Sequence, residues 1–250
     1  MIVMEVDSMD TIIFDVDDTL YDQAASFKNT CKKMIDVPFT DKELNNFYII
    51  SRKYSDALFD DQVAGKLTVQ EMHIRRIKDA CTEIGIEMTE QQAIDFQEAY
   101  VAEQRKIALF DEVMELMDIL IANNKHVAVL TNGAEGHQSM KIKQLRLDRW
   151  ISKENMFISS AIGHAKPSKE AFEFLEHKLG LDKNRTVYIG DSFANDIVGA
   201  KQVGWHAVWM NHRKRDMPEG TVKPDKVVYS ARELLDLFSD ELLCNDAIVN

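Results

Sequence analysis

Short apolar blocks alternate with amphipathic segments along most of the chain. The blocks are rich in branched and aromatic residues and end in polar residues; they lie at 12–14, 126–130, 156–160, 186–189 and 206–210. Between them, 111–124 carries apolar residues at helical spacing, and a second helix is expected from Ser168 to a C-cap at Gly180. Strands that alternate with helices predict an α/β fold with a mostly parallel sheet covered on both faces.

The segment 21–106 breaks this alternation. It has no short β-branched block, and apolar residues such as Phe27, Cys31 and Met34 share one helix face. We therefore predict an all-helical domain, inserted directly after the first strand and lying over the strand ends. The predicted domains are a core of 9–20 and 107–238, a helical cap of 21–106 and a C-terminal tail of 239–250.

Composition and charge narrow the possible partners and the compartment. The 250 residues carry 30 Lys+Arg against 42 Asp+Glu, a net charge of −12 that disfavours polymeric nucleic acid and anionic membranes. No apolar run approaches the ~20 residues of a membrane helix. Cys31, Cys81 and Cys244 lack the paired spacing of a zinc site or a disulfide framework, which favours a reducing compartment. We expect a cytoplasmic protein, either a monomer or a homodimer.

The first chemical motif is Asp15-Val16-Asp17-Asp18-Thr19, at the end of the first predicted strand. In an extended chain, Asp15 and Asp17 point to the same side. Two close carboxylates repel, so either one is protonated, as we expect of Asp17 in a first reaction step, or a cation lies between them. The pair suits Mg²⁺, with one carboxylate as nucleophile and the other as acid and base. The alternative interpretation is an ordinary acidic turn.

Two further motifs could handle phosphate. Thr131-Asn132-Gly133 follows the second strand, where a hydroxyl and backbone N–H groups could hold phosphate oxygens, although Asn-Gly is often simply a turn. Lys166-Pro167 precedes a helix, and we expect the proline at its first position, directing Lys166 into the site. A cation there would neutralise an attacking carboxylate and a phosphoryl group. The alternative is a solvated surface lysine.

The fourth motif, Gly190-Asp191-Ser192-Phe193-Ala194-Asn195-Asp196, again follows a strand. Asp191 could ligate the metal directly, and Asp196 could support its surroundings. For Asp196 the alternative is a favourable interaction with a helix N-terminus.

In this order and strand context, the four motifs resemble the haloacid dehalogenase superfamily of aspartate-nucleophile phosphatases, over about residues 12–238. The resemblance implies a Rossmann-like core with a helical cap of the first type. It makes Asp15 the nucleophile and a Mg²⁺ ligand, and Asp17 the acid/base that also offers its backbone carbonyl to the metal. It makes Asp191 the remaining protein ligand and places Asp196 beside the metal's waters.

The resemblance also assigns phosphate binding to Thr131 and the Asn132 backbone, and charge neutralisation to Lys166. It implies a small phosphomonoester as substrate, a nucleoside monophosphate or a sugar phosphate, with no polymeric nucleic acid and no membrane as partner. Asp17 favours a phosphatase over a haloacid dehalogenase, because it can protonate an alkoxide leaving group. A phosphomutase stays an alternative, and a phospho-accepting receiver or a non-catalytic binding protein is less favoured.

Several basic residues lie outside the motifs. Arg52, Lys53, Arg75 and Arg76 belong to the helical segment, and any of them could reach a substrate, although such residues usually face solvent. The run His212-Arg213-Lys214-Arg215 is expected to be a solvated loop, although its position after the last predicted strand would allow contact with a substrate. Trp205 and Trp209 are expected to pack in the core.

Overall fold

A computed structural model of the chain describes residues 4–220 and 222–244. Two units are present: the first comprises residues up to Asp22 and from Ala108 onward, and the second comprises Gln23–Ile107. Over the described residues, we find no helix that combines the length and the apolar character needed to cross a bilayer.

A six-stranded sheet forms the centre of the first unit. Its strands are β1 (Thr11–Phe14), β2 (His126–Thr131), β3 (Met156–Ile158), β4 (Thr186–Gly190), β5 (His206–Met210) and β6 (Lys226–Val228). The order is β3-β2-β1-β4-β5-β6, and every neighbouring pair is parallel. The predicted α/β fold is thus confirmed. The sequence did not predict β6, because a three-residue strand is too short to show a pattern.

Four helices make up the second unit: α1 (Gln23–Met34), α2 (Asp41–Val63), α3 (Val69–Glu83) and α4 (Glu90–Gln104). Capping boxes at Thr68 and Thr89 begin α3 and α4, each satisfying two backbone donors that a helix start leaves unpaired. Phe27 packs at the centre, with edge-on contacts to four other rings at centroid distances of 5.1–6.0 Å; these are Phe47, Tyr48, Phe96 and Tyr100. This unit therefore has its own aromatic core.

The remaining helices belong to the first unit. They are α5 (Asp111–Ala122), α6 (Glu135–Gln144), α7 (Ser159–Ile162), α8 (Lys169–Leu179), α9 (Val198–Gln202) and α10 (Ala231–Cys244). Their core includes Trp205 and Trp209, 0% and 1% exposed, which confirms the predicted packing role. Because α10 continues to Cys244, residues 239–244 of the predicted tail are helical, and 245–250 lie outside the described residues.

One predicted helix start needs correction. The helix expected after Pro167 is α8, which begins at Lys169 and ends at Leu179; Gly180 is its C-cap, with a left-handed φ of 64°. Ser168 is the N-cap, with an extended ψ of 139°, so Pro167 lies before the helix rather than at its first position. The proline therefore precedes the cap and does not initiate the helix.

Candidate active site

The predicted chemical motifs lie at one edge of the first unit's sheet. Asp15 follows β1, Thr131 ends β2, Asp191 follows β4 and Asn211 follows β5, and these are four adjacent parallel strands. In parallel sheets, the carboxyl ends of the strands form the usual ligand-binding edge. The motifs, separated along the chain, are therefore brought to one place by the fold.

Lys166 lies at the centre of a buried polar cluster. Its Nζ donates hydrogen bonds to Asp15 Oδ1 at 2.7 Å, to Asp196 Oδ1 at 2.7 Å and to Tyr188 Oη at 2.8 Å. Only 3% of its side chain is exposed, so the surface-lysine alternative is wrong. Burial by itself would lower the pKa of Lys166, but the carboxylates of Asp15 and Asp196 outweigh it and hold that pKa well above its ordinary value. The lysine is thus a fixed cation beside Asp15.

Three carboxyl groups around this lysine converge. One oxygen each from Asp15, Asp191 and Asp196 lies within 4.8 Å of the others. Burial raises the pKa of Asp15 to about 7 against the opposing charge of Lys166, and Asp196 adds to the rise. Burial, with the nearby charge of Asp18, likewise raises the pKa of Asp191 well above its ordinary value. The raised pKa values indicate that negative charge on these carboxyl groups is poorly compensated. A hard cation such as Mg²⁺, which prefers oxygen ligands, would compensate it.

Asp196 is positioned by its backbone surroundings. Ser192 N donates to Asp196 Oδ2 at 2.8 Å, and the residue lies in a π-helical turn, Phe193–Ile197, directly before α9. Gly190 permits this approach, because a Cβ there would lie 2.3 Å from Asp196 Oδ2. The carboxyl group of Asp196 therefore lies close to those of Asp15 and Asp191.

The carboxylate of Asp17 has a different environment from that of Asp15. Lys141 Nζ donates to both of its oxygens, at 2.8 and 2.7 Å, Gln138 Nε2 donates at 2.9 Å, and Tyr21 Oη donates a further bond. Burial alone would raise the pKa of Asp17, but Lys141 and these hydrogen bonds lower it to about 2. Asp17 is therefore held in its ionised form in this arrangement, and its protonation in a first reaction step stays a prediction.

Lys141 and Gln138 were not among the site residues predicted from the sequence. Both lie on α6, three residues apart and hence on one helix face, and both are buried. The signal available was their spacing in the helix that follows Thr131, but α6 carries few apolar residues, and two of its three buried residues, Gln138 and Lys141, are polar.

Asn132 serves to fix the Lys166 segment. Its Nδ2 donates to the Lys166 carbonyl at 2.8 Å, and its Oδ1 accepts from the Lys166 backbone N–H at 2.9 Å. Thr131 Oγ1 accepts from Gln138 Nε2 at 2.8 Å. Gly133 has a φ of 146°, and its N–H donates to Ser159 Oγ at 2.9 Å. The side chain of Asn132 thus positions the lysine, a role that the motif did not indicate.

The basic run after β5 is anchored to the same edge of the sheet. Asn211, 3% exposed, forms two reciprocal hydrogen bonds of 2.8 Å with the backbone of Arg215. Arg215 Nη1 then donates to Asp191 Oδ2 at 2.9 Å and to the Asp191 carbonyl at 3.1 Å. Arg215 therefore offsets part of the negative charge on Asp191.

The guanidinium of Arg213 forms hydrogen bonds with two carboxylates. Its Nε and Nη2 donate to the two oxygens of Asp18 at 2.9 and 2.5 Å, and Nη2 also contacts Asp22. Burial would raise the pKa of Asp18, but His212 and Arg213 outweigh it and lower that pKa. Asp18 has a left-handed φ of 62°, which is uncommon outside glycine. The prediction of a solvated loop is wrong for Arg213 and Arg215, which pair with carboxylates far away in the sequence, whereas Lys214 is exposed.

Comparison with known proteins identifies the class as a hydrolase. A model of the haloacid dehalogenase-like hydrolase family matches residues 9–204. The chain belongs to this family, which confirms the resemblance seen in the four motifs. It is 26% identical over 239 residues to the pyrimidine 5'-nucleotidase YjjG of Escherichia coli, an alignment covering 94% of this chain and 98% of YjjG.

Solved structures show the same fold. The HAD-hydrolase YfnB from Bacillus subtilis, bound to magnesium, has a TM-score of 0.68 at 22% identity, covering 92% of this chain and 98% of that one. The L-2-haloacid dehalogenase from Xanthobacter autotrophicus has a TM-score of 0.67 at 15% identity, with coverages of 92% and 98%. At these identities the likeness concerns the fold alone.

Proposed function

We propose that the chain is a magnesium-dependent phosphatase that hydrolyses a small phosphomonoester through an aspartyl-phosphate on Asp15. The observation that carries the proposal is the buried group of Asp15, Asp191 and Asp196 beside Lys166, at the strand ends of a haloacid dehalogenase-like hydrolase. A buried nucleophile next to a fixed cation is suited to attack on a phosphoryl group.

The proposed reaction has two displacements. In the first, an oxygen of Asp15 forms a bond to phosphorus, the ester P–O bond breaks, and Asp17 gives a proton to the leaving oxygen. In the second, Asp17 takes a proton from water, the water oxygen bonds to phosphorus, and the bond to Asp15 breaks. The ionised Asp17 of the structure is the form that the second displacement needs. The first displacement requires Asp17 to be protonated, although the positive charge of Lys141 favours its ionised form.

Mg²⁺ is proposed as the cofactor. Asp15 and Asp191 would hold it, together with the backbone carbonyl of Asp17, and Asp196 would lie beside it. When bound, it would offset the charge of the carboxylates and of a phosphate dianion. Lys166 supplies a second, permanent positive charge, and Thr131 and the Asn132 backbone are proposed to bind the phosphate oxygens.

We propose a nucleoside monophosphate as the first substrate class, with sugar phosphates next. The similarity to the pyrimidine 5'-nucleotidase YjjG supports the first of these. Asp17 argues against the haloacid dehalogenase alternative, because a halide leaving group needs no proton. The free, buried thiols of Cys31 and Cys81 support a reducing compartment, the cytoplasm.

The test compares Asp15→Asn with the parent chain on p-nitrophenyl phosphate, with Mg²⁺ or with a chelator. We expect Mg²⁺-dependent release of inorganic phosphate from the parent and none from the variant. Asp148→Asn, at an exposed position of the first unit, is the matched control and should keep full activity. Retained Mg²⁺-dependent turnover in Asp15→Asn would contradict the assignment of the nucleophile.

A substrate panel separates the remaining alternatives. Nucleoside monophosphates and sugar phosphates are assayed for released phosphate, and 2-chloropropionate is assayed for released chloride. Phosphate release from the first two groups supports a phosphatase. Isomerised sugar phosphate without phosphate release would show a mutase, and chloride release would show a dehalogenase.

A further inference from the structure

The helical unit contains a buried cation without an acidic partner. Arg76 of α3 is only 8% exposed. Its Nη2 donates to Gln97 Oε1 at 2.9 Å, and its guanidinium lies 5.6 Å from the centroid of the Tyr100 ring. Its Nε is buried and has no hydrogen-bond partner. Within the described part of the chain, no carboxylate lies within ion-pair distance of this guanidinium.

This burial is energetically unusual. Burial of an ion is unfavourable unless an opposite charge and hydrogen bonds compensate it, and arginine does not lose its proton in proteins. One amide hydrogen bond and one cation–π contact stabilise a buried guanidinium less than a paired carboxylate does. The contacts seen therefore compensate the charge only partly, and one N–H donor still lacks an acceptor.

The surroundings add positive charge rather than remove it. Burial, together with the positive charge of Arg52, lowers the pKa of Arg76 against the opposing effect of Tyr100. Arg52 pairs with Asp56 at 3.3 Å, and 43% of its side chain is exposed. Gln97 is also only half-buried. A second cation therefore lies near the guanidinium, and the amide that accepts its hydrogen bond is partly exposed.

We propose that Arg76 is the centre of an oxyanion-binding site in the helical unit, which takes a phosphate or carboxylate group. Such a group accepts two parallel N–H bonds from a guanidinium, and it would supply both the missing acceptor for Nε and the missing negative charge. Arg52 adds a second cation nearby, which favours a doubly charged phosphate. This inference does not depend on the proposed phosphatase activity, because it concerns binding to residues of the helical unit alone.

The experiment follows the Arg76 Nε–Hε signal and the Gln97 amide signal by NMR in the full chain. The probe is inorganic phosphate, with sodium acetate as a carboxylate and sodium chloride at equal ionic strength as the comparison. The Nε–Hε signal of Arg76 is assigned as the one that is lost in Arg76→Lys. Arg75→Lys is the matched control, because Arg75 is the exposed neighbour on the same helix.

We expect phosphate to shift both signals to saturation in the parent chain and in Arg75→Lys, and chloride to leave them in place. A saturating shift with acetate alone would assign the site to carboxylates. In Arg76→Lys, the Gln97 shift should need about tenfold more phosphate, since the bidentate contact is lost. If neither anion moves the Arg76 and Gln97 signals of the parent chain, the proposal is wrong, whatever happens at Thr131 or in the activity assay.

Discussion

The contact between Lys141 and Asp17 allows a quantitative test of the site's electrostatics. Lys141→Met removes the ammonium group but keeps an unbranched side chain that can fill most of the same space. The lysine side chain is 3% exposed and that of Asp17 is 20% exposed, so solvent screens the pair only weakly. Lys143→Met is the matched control, because Lys143 is exposed on the same helix.

The size of the effect comes from the pKa of Asp17. The folded chain lowers it from 3.8 to about 2, although burial acts in the opposite direction. A shift of this size is equivalent to about 2 kcal/mol of stability. Since the unfolded chain binds the proton more tightly, this stabilisation is complete above about pH 4 and is lost as the pH falls through about 2. Near pH 3, about half of it remains.

Urea unfolding with chelator present, at pH 7 and near pH 3, measures this contribution. At pH 7 we expect Lys141→Met to lower the free energy of unfolding by about 2 kcal/mol, and near pH 3 by about half as much. The control variant should stay within about 0.5 kcal/mol of the parent chain. An equal loss at both pH values would show that the lysine acts through packing. No loss at pH 7 would show that the ion pair contributes nothing.

Three further outcomes are expected. Arg213→Met removes the guanidinium that pairs with the buried carboxylate of Asp18 and should lower the free energy of unfolding by about 3 kcal/mol in urea titrations, whereas Lys214→Met, at the exposed neighbour, should change it little. Gly190→Ala places a Cβ 2.3 Å from Asp196 Oδ2 and should weaken Mg²⁺ binding in calorimetry; unchanged affinity would show that the carboxylate is free to move. Because the pKa of Asp15 is raised to about 7, the free energy of unfolding of the chain with chelator should fall as the pH rises from about 4 to 7. Asp15→Asn should reduce this dependence on pH.

The sequence contained enough information to predict the sheet and the strand-end residues. A parallel strand that is covered on both faces of the sheet has apolar side chains on both faces, so its sequence is a short continuous apolar block. Five such blocks coincide with β1 to β5. Asp15 and Asp191 directly follow two of these strands, so their convergence was predictable from strand adjacency. Lys166 was predicted from its motif, but its three hydrogen bonds depend on a loop whose path Asn132 fixes. Side-chain contacts of this kind have no local sequence pattern.

The cations that pair with the other acids could not be predicted for the same reason. Lys141 lies 124 residues from Asp17 along the chain, and Arg213 lies 195 residues from Asp18. Basic residues on polar helices and loops usually face solvent, and this general rule led to the solvated interpretation of the run after β5. The rule fails here because a sheet edge gathers four strand ends, each followed by residues whose charges must be compensated locally.

The distribution of these cations explains where negative charge accumulates on the sheet edge. Asp17 and Asp18 have close cation partners, and their pKa values are lowered. Lys166, by contrast, is shared between Asp15 and Asp196, while Asp191 pairs with the half-exposed Arg215. Three carboxylates therefore face two cations, and the pKa values of Asp15 and Asp191 are raised instead. A divalent cation would therefore bind at Asp15, Asp191 and Asp196, whose charge is not fully compensated, rather than at the carboxylates of Asp17 and Asp18.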